Sequence, residues 1–320
     1  MRAYIIRRLL LLIPTLLMVT VLVFLTVRFI PGSVIDLMKA QMEAGTAADQ
    51  PITEQYIRHA MGLDEPIYTQ YWKWVTKVFR GDLGNSLWSG RSITSDLLGK
   101  LPVSIELGLW ALLTGLIIAL PIGIYSAMRQ DTLGDYAGRT FAVLCISLPG
   151  FWLATMVIVY PSVWWGWSPA VEYIPFNKDP IGNIIQFSIP GVLMGATFSG
   201  GTMRLMRTMM LEVLRQDYVR TAWSKGLTER VVIMRHALKN AMLPVITVIG
   251  MSLPVLIAGS VVFEQIFALP GIGRYLLDAI NRRDYPIISG INLVVATAVL
   301  VCNLLVDLAY SWLDPRVQYQ

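Results

Sequence analysis

Residues Leu107 to Met128 read LGLWALLTGLIIALPIGIYSAM, a run without one charged side chain. About 20 apolar residues span the hydrocarbon core of a bilayer, and an unpaired charge inside it is costly. The run therefore predicts a transmembrane helix. Reading the chain between its charges yields five more windows of bilayer length: Leu9–Val27, Thr140–Val171, Ile181–Met203, Asn240–Phe263 and Tyr285–Val306. Thr140–Val171 exceeds one span and holds Pro161, Trp164, Trp165, Trp167 and Pro169, which predicts a helix end near Tyr160. Pro190 and Gly191 predict that the fourth helix starts there and runs towards Arg207. The expected fold is an all-α integral membrane protein with six transmembrane helices.

Composition agrees. The 320 residues are 55% hydrophobic and 15% charged, with mean hydropathy +0.58; a soluble domain carries about 25% charged residues. The net charge of +5 and pI near 9.2 would suit a membrane protein or a nucleic-acid binder. The position of the charge decides between them. Arg2, Arg7 and Arg8 precede the first span, Arg129 and Arg139 follow the second, and 204–239 carries eight basic residues against Glu212, Asp217 and Glu229. Short basic loops stay on the cytoplasmic side, so both termini are expected inside, and Trp164, Trp165, Trp167 and Tyr173 fall at the outer interface. The basic excess is a topology signal; lipid is the expected partner and nucleic acid is not. The first apolar run exceeds a signal-peptide core and lacks a clear small-x-small site, which favours a retained signal anchor over a cleaved leader. Cys145 and Cys302, alone in apolar runs, read as buried thiols.

Three regions follow: a signal-anchor helix in 1–30, an extracytoplasmic subdomain in 31–102, and a five-helix core in 103–320. Within the subdomain, Pro51 and Thr53 can open a helix at Glu54, and Ile67–Phe79 mixes aromatic and charged residues as an amphipathic helix does. Gly81-Asp82-Leu83-Gly84-Asn85-Ser86 reads as a turn.

The basic loop between the fourth and fifth spans reads as helix, break, helix. Gly226 suits the left-handed position that ends a helix, with Leu227 folding back onto Ala222. Thr228 is a good N-cap and Glu229 sits favourably at the positive end of the next helix. Val231, Met234 and Leu238 place apolar groups along one face of that helix, and Arg230, Arg235 and Lys239 flank it. Two readings stand at this point: a basic loop with no specific task, or a rigid docking element that takes force from a soluble partner.

The pattern Asp217-Tyr218-Val219-Arg220-Thr221-Ala222, Lys225-Gly226-Leu227, His236, Asn240-Ala241 and Pro244 resembles the EAA loop of binding-protein-dependent ABC transporter permeases, in the dipeptide/oligopeptide (and nickel) branch. The resemblance extends along the chain. It includes Arg7-Arg8 with Ile13-Pro14 and Pro31-Gly32; Gly62-Leu63-Asp64 with Pro66; Gly81-Asp82-Leu83-Gly84; and Ser147-Leu148-Pro149. It continues through Glu264 with Pro270-Gly271-Ile272-Gly273, Arg283-Asp284-Tyr285-Pro286, and Asp307 with Asp314-Pro315-Arg316. Trp223 departs from it, where a small or basic residue is usual, and so does Ser33, where Asp is frequent.

The resemblance implies a type I importer fold in a prokaryotic inner membrane, with an EAA coupling loop over 212–244. Asp217, Tyr218, Arg220, Thr221, Ala222, Lys225, Gly226, Leu227, His236 and Pro244 would contact a cytoplasmic ATPase. The implied partners are a second homologous permease, two ABC ATPase subunits and an extracytoplasmic substrate-binding protein. The implied cargo is a di- or oligopeptide, with nickel chelates, glutathione or sugars as alternatives in the same class. Glu264, Pro270, Gly271 and Gly273 are candidates for an extracytoplasmic gate or binding-protein contact, or for a helix-end hydrogen bond. No Gly-x-x-x-x-Gly-Lys-Ser/Thr loop occurs, so this chain is expected to bind no cofactor, with ATP and Mg on the ATPase, and to be no enzyme. A secondary transporter would show inverted repeats and midplane charge. An intramembrane enzyme would show a convergent catalytic set. Neither pattern is found. His59 and His236 lie too far apart in this topology to form a pair. Arg28, Glu106 and Asp307 lie near helix ends, where snorkelling or interfacial pairing suffices.

Overall fold

A computed structural model describes residues 2–29, 65–170, 172–257 and 261–313. The expected helix at Glu54, His59 and most of the segment between the first two spans lie outside the described residues, as do the side chains of Arg28 and Asp307. The described chain is almost wholly helical; its β-structure is one isolated bridge, Asn85 to Ser92. The helices are α1 (Arg2–Phe29), α2 (Ile67–Phe79), α3 (Ile93–Met128), α4 (Leu133–Ser147), α5 (Gly150–Trp165), α6 (Pro180–Leu214) and α7 (Asp217–Ser224). A short α8 (Glu229–Val231) widens into a π-helical turn, Val232–Ala237, and continues as α9 (Leu238–Ile257). Then come α10 (Val261–Ile266), α11 (Ile272–Asn281) and α12 (Tyr285–Leu313). Among the described residues, five helices are long and apolar enough to cross a membrane, six crossings if the bent pair α4–α5 is one.

Two helix boundaries differ from the sequence reading. The third window is not one helix ending near Tyr160 but two, bent by 90° at Leu148-Pro149. Proline has no N–H and forces the preceding residue out of helical geometry; Leu148 is extended at φ −84°, ψ 120°. The second piece runs past Pro161 to Trp165, where Gly166 ends it at φ +65°. The fourth helix begins at Pro180, not Pro190. Asp179 accepts a hydrogen bond from Gly182 N at 3.0 Å and Pro180 stands at the first helical position, a start signal that outweighs an internal proline. Helix α3 also starts early, at Ile93, because Ile93 and Leu97 bury against Ile287, Ile288 and Ile291 of α12. The division at 102/103 thus falls inside a helix. The amphipathic helix Ile67–Phe79 and the turn at Gly81 and Gly84, both at positive φ, form as read.

Helices α3 and α6 pack along each other at backbone distance. A Cβ on Gly195 would lie 2.1 Å from Thr114 Oγ1 and 2.7 Å from Ala111 O; one on Gly115 would lie 2.9 Å from Gly195 O. Thr114 Oγ1 also donates to Gly191 O at 2.9 Å. The Gly191-x-x-x-Gly195 spacing thus serves close approach, which compensates in lipid for the lack of a hydrophobic drive between helices. Around this seam, α4 packs on α6 at Gly200, and α9 lies against α6 through Met206, Met210, Ala237, Ala241 and Val245. Helix α1 touches α12 and, through Phe24 and a 2.8 Å Thr20–Tyr71 hydrogen bond, α2.

Gly195→Ala should therefore lower the melting temperature of the detergent-solubilised chain, at about 1–3 kcal/mol for overpacking. Gly201→Ala, whose Cβ would meet nothing within 4 Å, should not. Equal melts for the two variants would contradict the seam.

Candidate functional site

The α7–α8 pair forms as the spacing predicts. Asp217 opens α7, whose inner face, Val219 and Ala222, buries against Val232 with Leu227 packed beside them. Gly226 sits at φ +76° and its N–H donates to Trp223 O at 2.9 Å. That left-handed geometry favours glycine. Leu227 turns back towards Ala222 as expected. Thr228 starts the second helix through its carbonyl, which accepts from Val231 N and Val232 N at 3.0 Å; its hydroxyl makes no capping bond. Helix α7 is also pinned to α9, where Asn240 Nδ2 donates to Tyr218 OH at 2.7 Å.

The other face of α7 is turned outward. Asp217, Arg220, Thr221, Ser224 and Lys225 are exposed. Arg220 reaches Asp217 at 3.6 Å, and Thr221 and Ser224 turn their hydroxyls onto their own helix. Tyr218 and Trp223, on opposite flanks of the buried face, are 43% and 44% exposed, and Met234 is 57% exposed. His236 and Pro244 are half-buried, in the π-turn and in α9. The loop residues expected from the sequence are thus brought together, except Pro244, which lies further along the span. Sequence reading gave Val231 and Met234 no role at the surface. Their signal was available: apolar residues beside a break, in an otherwise polar helix pair.

A second polar cluster forms at Ser104, in the first half of α3. Glu264 is fully buried. Its carboxylate accepts from Ser104 Oγ at 2.7 Å and from Arg274 N at 2.8 Å, while Ser104 Oγ accepts from Ile272 N at 2.8 Å. One side chain so ties α10 to α3 and caps the N-terminus of α11. A Cβ on Gly271 would lie 2.3 Å from that carboxyl. Of the candidate gate residues, Glu264, Gly271 and Gly273 are buried and Pro270 is half-buried. In this conformation the Glu264 carboxylate makes the helix-end bonds and is not presented to a partner. A parallel arrangement follows at Asp284, buried before α12, which accepts from Ser86 Oγ at 2.6 Å and Leu87 N at 3.3 Å. Trp88 Nε1 donates to Arg282 O at 2.8 Å. Burial pushes both carboxyls above their ordinary values, against the donors that pull them down.

A family described as the binding-protein-dependent transport system inner membrane component matches residues 119–319, and its N-terminal counterpart matches residues 1–107. The chain belongs to this family. It is the multi-pass inner-membrane permease of an ABC transport system. The permease is 38% identical over 319 residues to a peptide transport system permease protein of Brucella abortus, covering 100% of both chains. It is 36% identical over 343 residues to the dipeptide transport system permease protein DppB of Escherichia coli K12, again over 100% of both. Among solved structures, the inward-facing MetNI methionine ABC transporter aligns at TM-score 0.52 and 15% identity, covering 68% of the permease and 96% of that chain. An amino acid ABC transporter aligns at TM-score 0.53 and 14% identity, covering 68% and 94%. These two establish the fold.

The raised carboxyl at Glu264 makes a signed prediction. A folded-state value above the unfolded one contributes stability that is present below the ordinary carboxyl range and lost as pH rises through the raised value. Glu264→Gln, a neutral stand-in, should therefore gain in melting temperature relative to the wild type as pH rises above the ordinary carboxyl range. Glu264→Ala should cost about 1–3 kcal/mol throughout, because it orphans buried donors. A wild-type-minus-Gln difference that does not change with pH would contradict the assignment.

Proposed function

We propose that the permease forms one half of a transmembrane pathway for small peptides, driven by cytoplasmic ABC ATPases that dock on the α7–α8 pair. The observation that carries the coupling role is the pair itself: an exposed helix with Tyr218 and Trp223 on its flanks, fixed to α6 on one side and α9 on the other. A short helix that is rigid with respect to two spans can pass on a push; a mobile loop cannot. The basic charge around it supports a cytoplasmic position. Peptide cargo is supported by the names of the full-length relatives.

Nucleotide and magnesium would be held by the ATPase subunits, since this chain has no phosphate-binding loop. The substrate would reach the opposite face, where Glu264 and Asp284 hold α10–α11 and the Ser86–Trp88 turn, from an extracytoplasmic binding protein. A second, homologous permease would complete the pathway. Closure of the ATPase dimer on ATP would bias the two bundles between inward- and outward-open arrangements, a two-state element shifted by ligand. Of the expected outer segment, the described residues 65–92 would lie outside, with α2 against α1 through Tyr71 and the Ser86–Trp88 turn held at Asp284 before α12.

In proteoliposomes containing the permease pair and binding protein, uptake of a radiolabelled dipeptide should require the co-purified ATPase and internal ATP. An imposed proton or sodium gradient should not replace them. Uptake driven by the gradient alone would overturn the reading in favour of a secondary transporter.

A further inference from the structure

The coupling end of the bundle contains a polar hub that neither the family assignment nor the docking loop explains. Asp135, the third residue of α4, is fully buried, and its carboxylate receives donors from three directions. Arg207 of α6 binds it side-on, Nε to Oδ1 at 2.7 Å and Nη2 to Oδ2 at 2.6 Å. Ser126 Oγ, in the last turn of α3, donates to Oδ1, and the Asp131 N–H donates to Oδ2 at 3.0 Å. Asp131 stands at φ +60°, so the same carboxylate also holds the left-handed turn that joins α3 to α4. With four donors, both carboxylate oxygens are fully used. Arg207 is 19% exposed.

Two more arginine pairs among the described residues differ. Arg91–Asp96 and Arg220–Asp217 are 3.6 Å contacts with arginines 70% and 76% exposed. A buried pair is poor value for stability alone, because desolvation offsets much of the attraction, but it does fix one geometry. What it fixes here is informative. Arg207 lies two turns before the end of α6. Only Arg215 and Gln216 separate that end from α7, and Val213 and Leu214 pack directly against Val219, Ala222 and Val232. A force entering at α7 thus reaches the hub within two turns of helix. The hub joins α6 to α3 and α4, where the glycine seam continues the contact.

We propose that Asp135 and Arg207 are positioning residues for transport: they lock α3, α4 and α6 into one body with the coupling helix, so that displacement of α7 moves the whole bundle. The pair touches neither ATPase nor cargo. Without it, α7 and the end of α6 would shift while α3 and α4 lag, and ATP would be hydrolysed with little movement of the pathway. The inference rests on the ATPase-driven reading above.

The test uses the assembled transporter, with spin labels at Leu133→Cys, which is 88% exposed at the start of α4, and Arg230→Cys in α8. The native Cys145 and Cys302 are buried and stay unlabelled. In the otherwise wild-type protein the label distance should be the same without nucleotide and with ATP trapped. In Asp135→Asn and Arg207→Gln it should shift or broaden with ATP. Dipeptide uptake per ATP hydrolysed should fall about tenfold, with ATPase still bound. Arg207→Lys, which keeps the charge and loses the two-pronged contact, should fall between. A nucleotide-independent distance and an unchanged uptake ratio in these variants would overturn the proposal. So would losses of uptake and hydrolysis that merely follow the amount of assembled protein. Should the two neutral variants fail to assemble, Arg207→Lys alone decides, and wild-type behaviour there overturns it. A complex that binds no ATPase at all would instead count against the functional reading.

Discussion

Gly195 of α6 lies so close to α3 that a methyl group would strike Thr114 and the backbone at Ala111. The rest of the permease is arranged about that contact. In lipid there is no water to expel from between two helices, so association depends on close packing and on polar groups that find partners within the protein. The seam supplies the first. The second is met at two levels of α3, by Ser104 with Glu264, about three turns into the helix, and by Ser126 with Asp135 and Arg207 in its last turn. Ser104 and Ser126 are 22 residues apart, about 33 Å along a helix, close to the hydrocarbon thickness of about 30 Å. The two polar clusters thus stand about one hydrocarbon thickness apart along α3, with the glycine contact between them.

This division makes the described bundle firm at both levels. At the Ser126 level, α7 is short, buried on one face and held to α6 and α9, so its freedom is that of the bundle it is attached to. At the other level, Glu264 holds α10 and α11 against α3, and Asp284 holds the Ser86–Trp88 turn against the start of α12. Both carboxyls close helix N-termini and neither is offered to solvent. The surfaces left to partners are those the clusters support, not the clusters themselves.

Much of this was legible in the chain. Charge-free runs such as Leu107–Met128 declare spans because lipid tolerates little else, and Gly226 followed by Leu227 declares a helix break because few residues adopt positive φ. The missing parts share one cause. Between Thr140 and Val171 no charge marks where one helix stops, so the bend at Pro149 was hidden within a continuous apolar signal. Asp179-Pro180 carries a start signal for the fourth helix, but Pro190 with Gly191 offers a competing one ten residues later in the same apolar run. The Asp135–Arg207 pair joins residues 72 positions apart, a relation that local spacing cannot show. A trace was present: Arg207 interrupts Leu205-Met206 and Met209-Met210, and a charge within such a run calls for a partner.

The central claim is that a rigid break at Gly226 carries the motion of the ATPase into the bundle. Gly226→Val measures it most directly, because a β-branched residue strains the φ of +76° while a Cβ there would meet no neighbour within 4 Å. The reconstituted transporter bearing this variant should insert, bind ATPase and hydrolyse ATP, with dipeptide taken up per ATP reduced about tenfold or more. A variant that hydrolyses ATP and takes up dipeptide in the wild-type ratio would contradict the account.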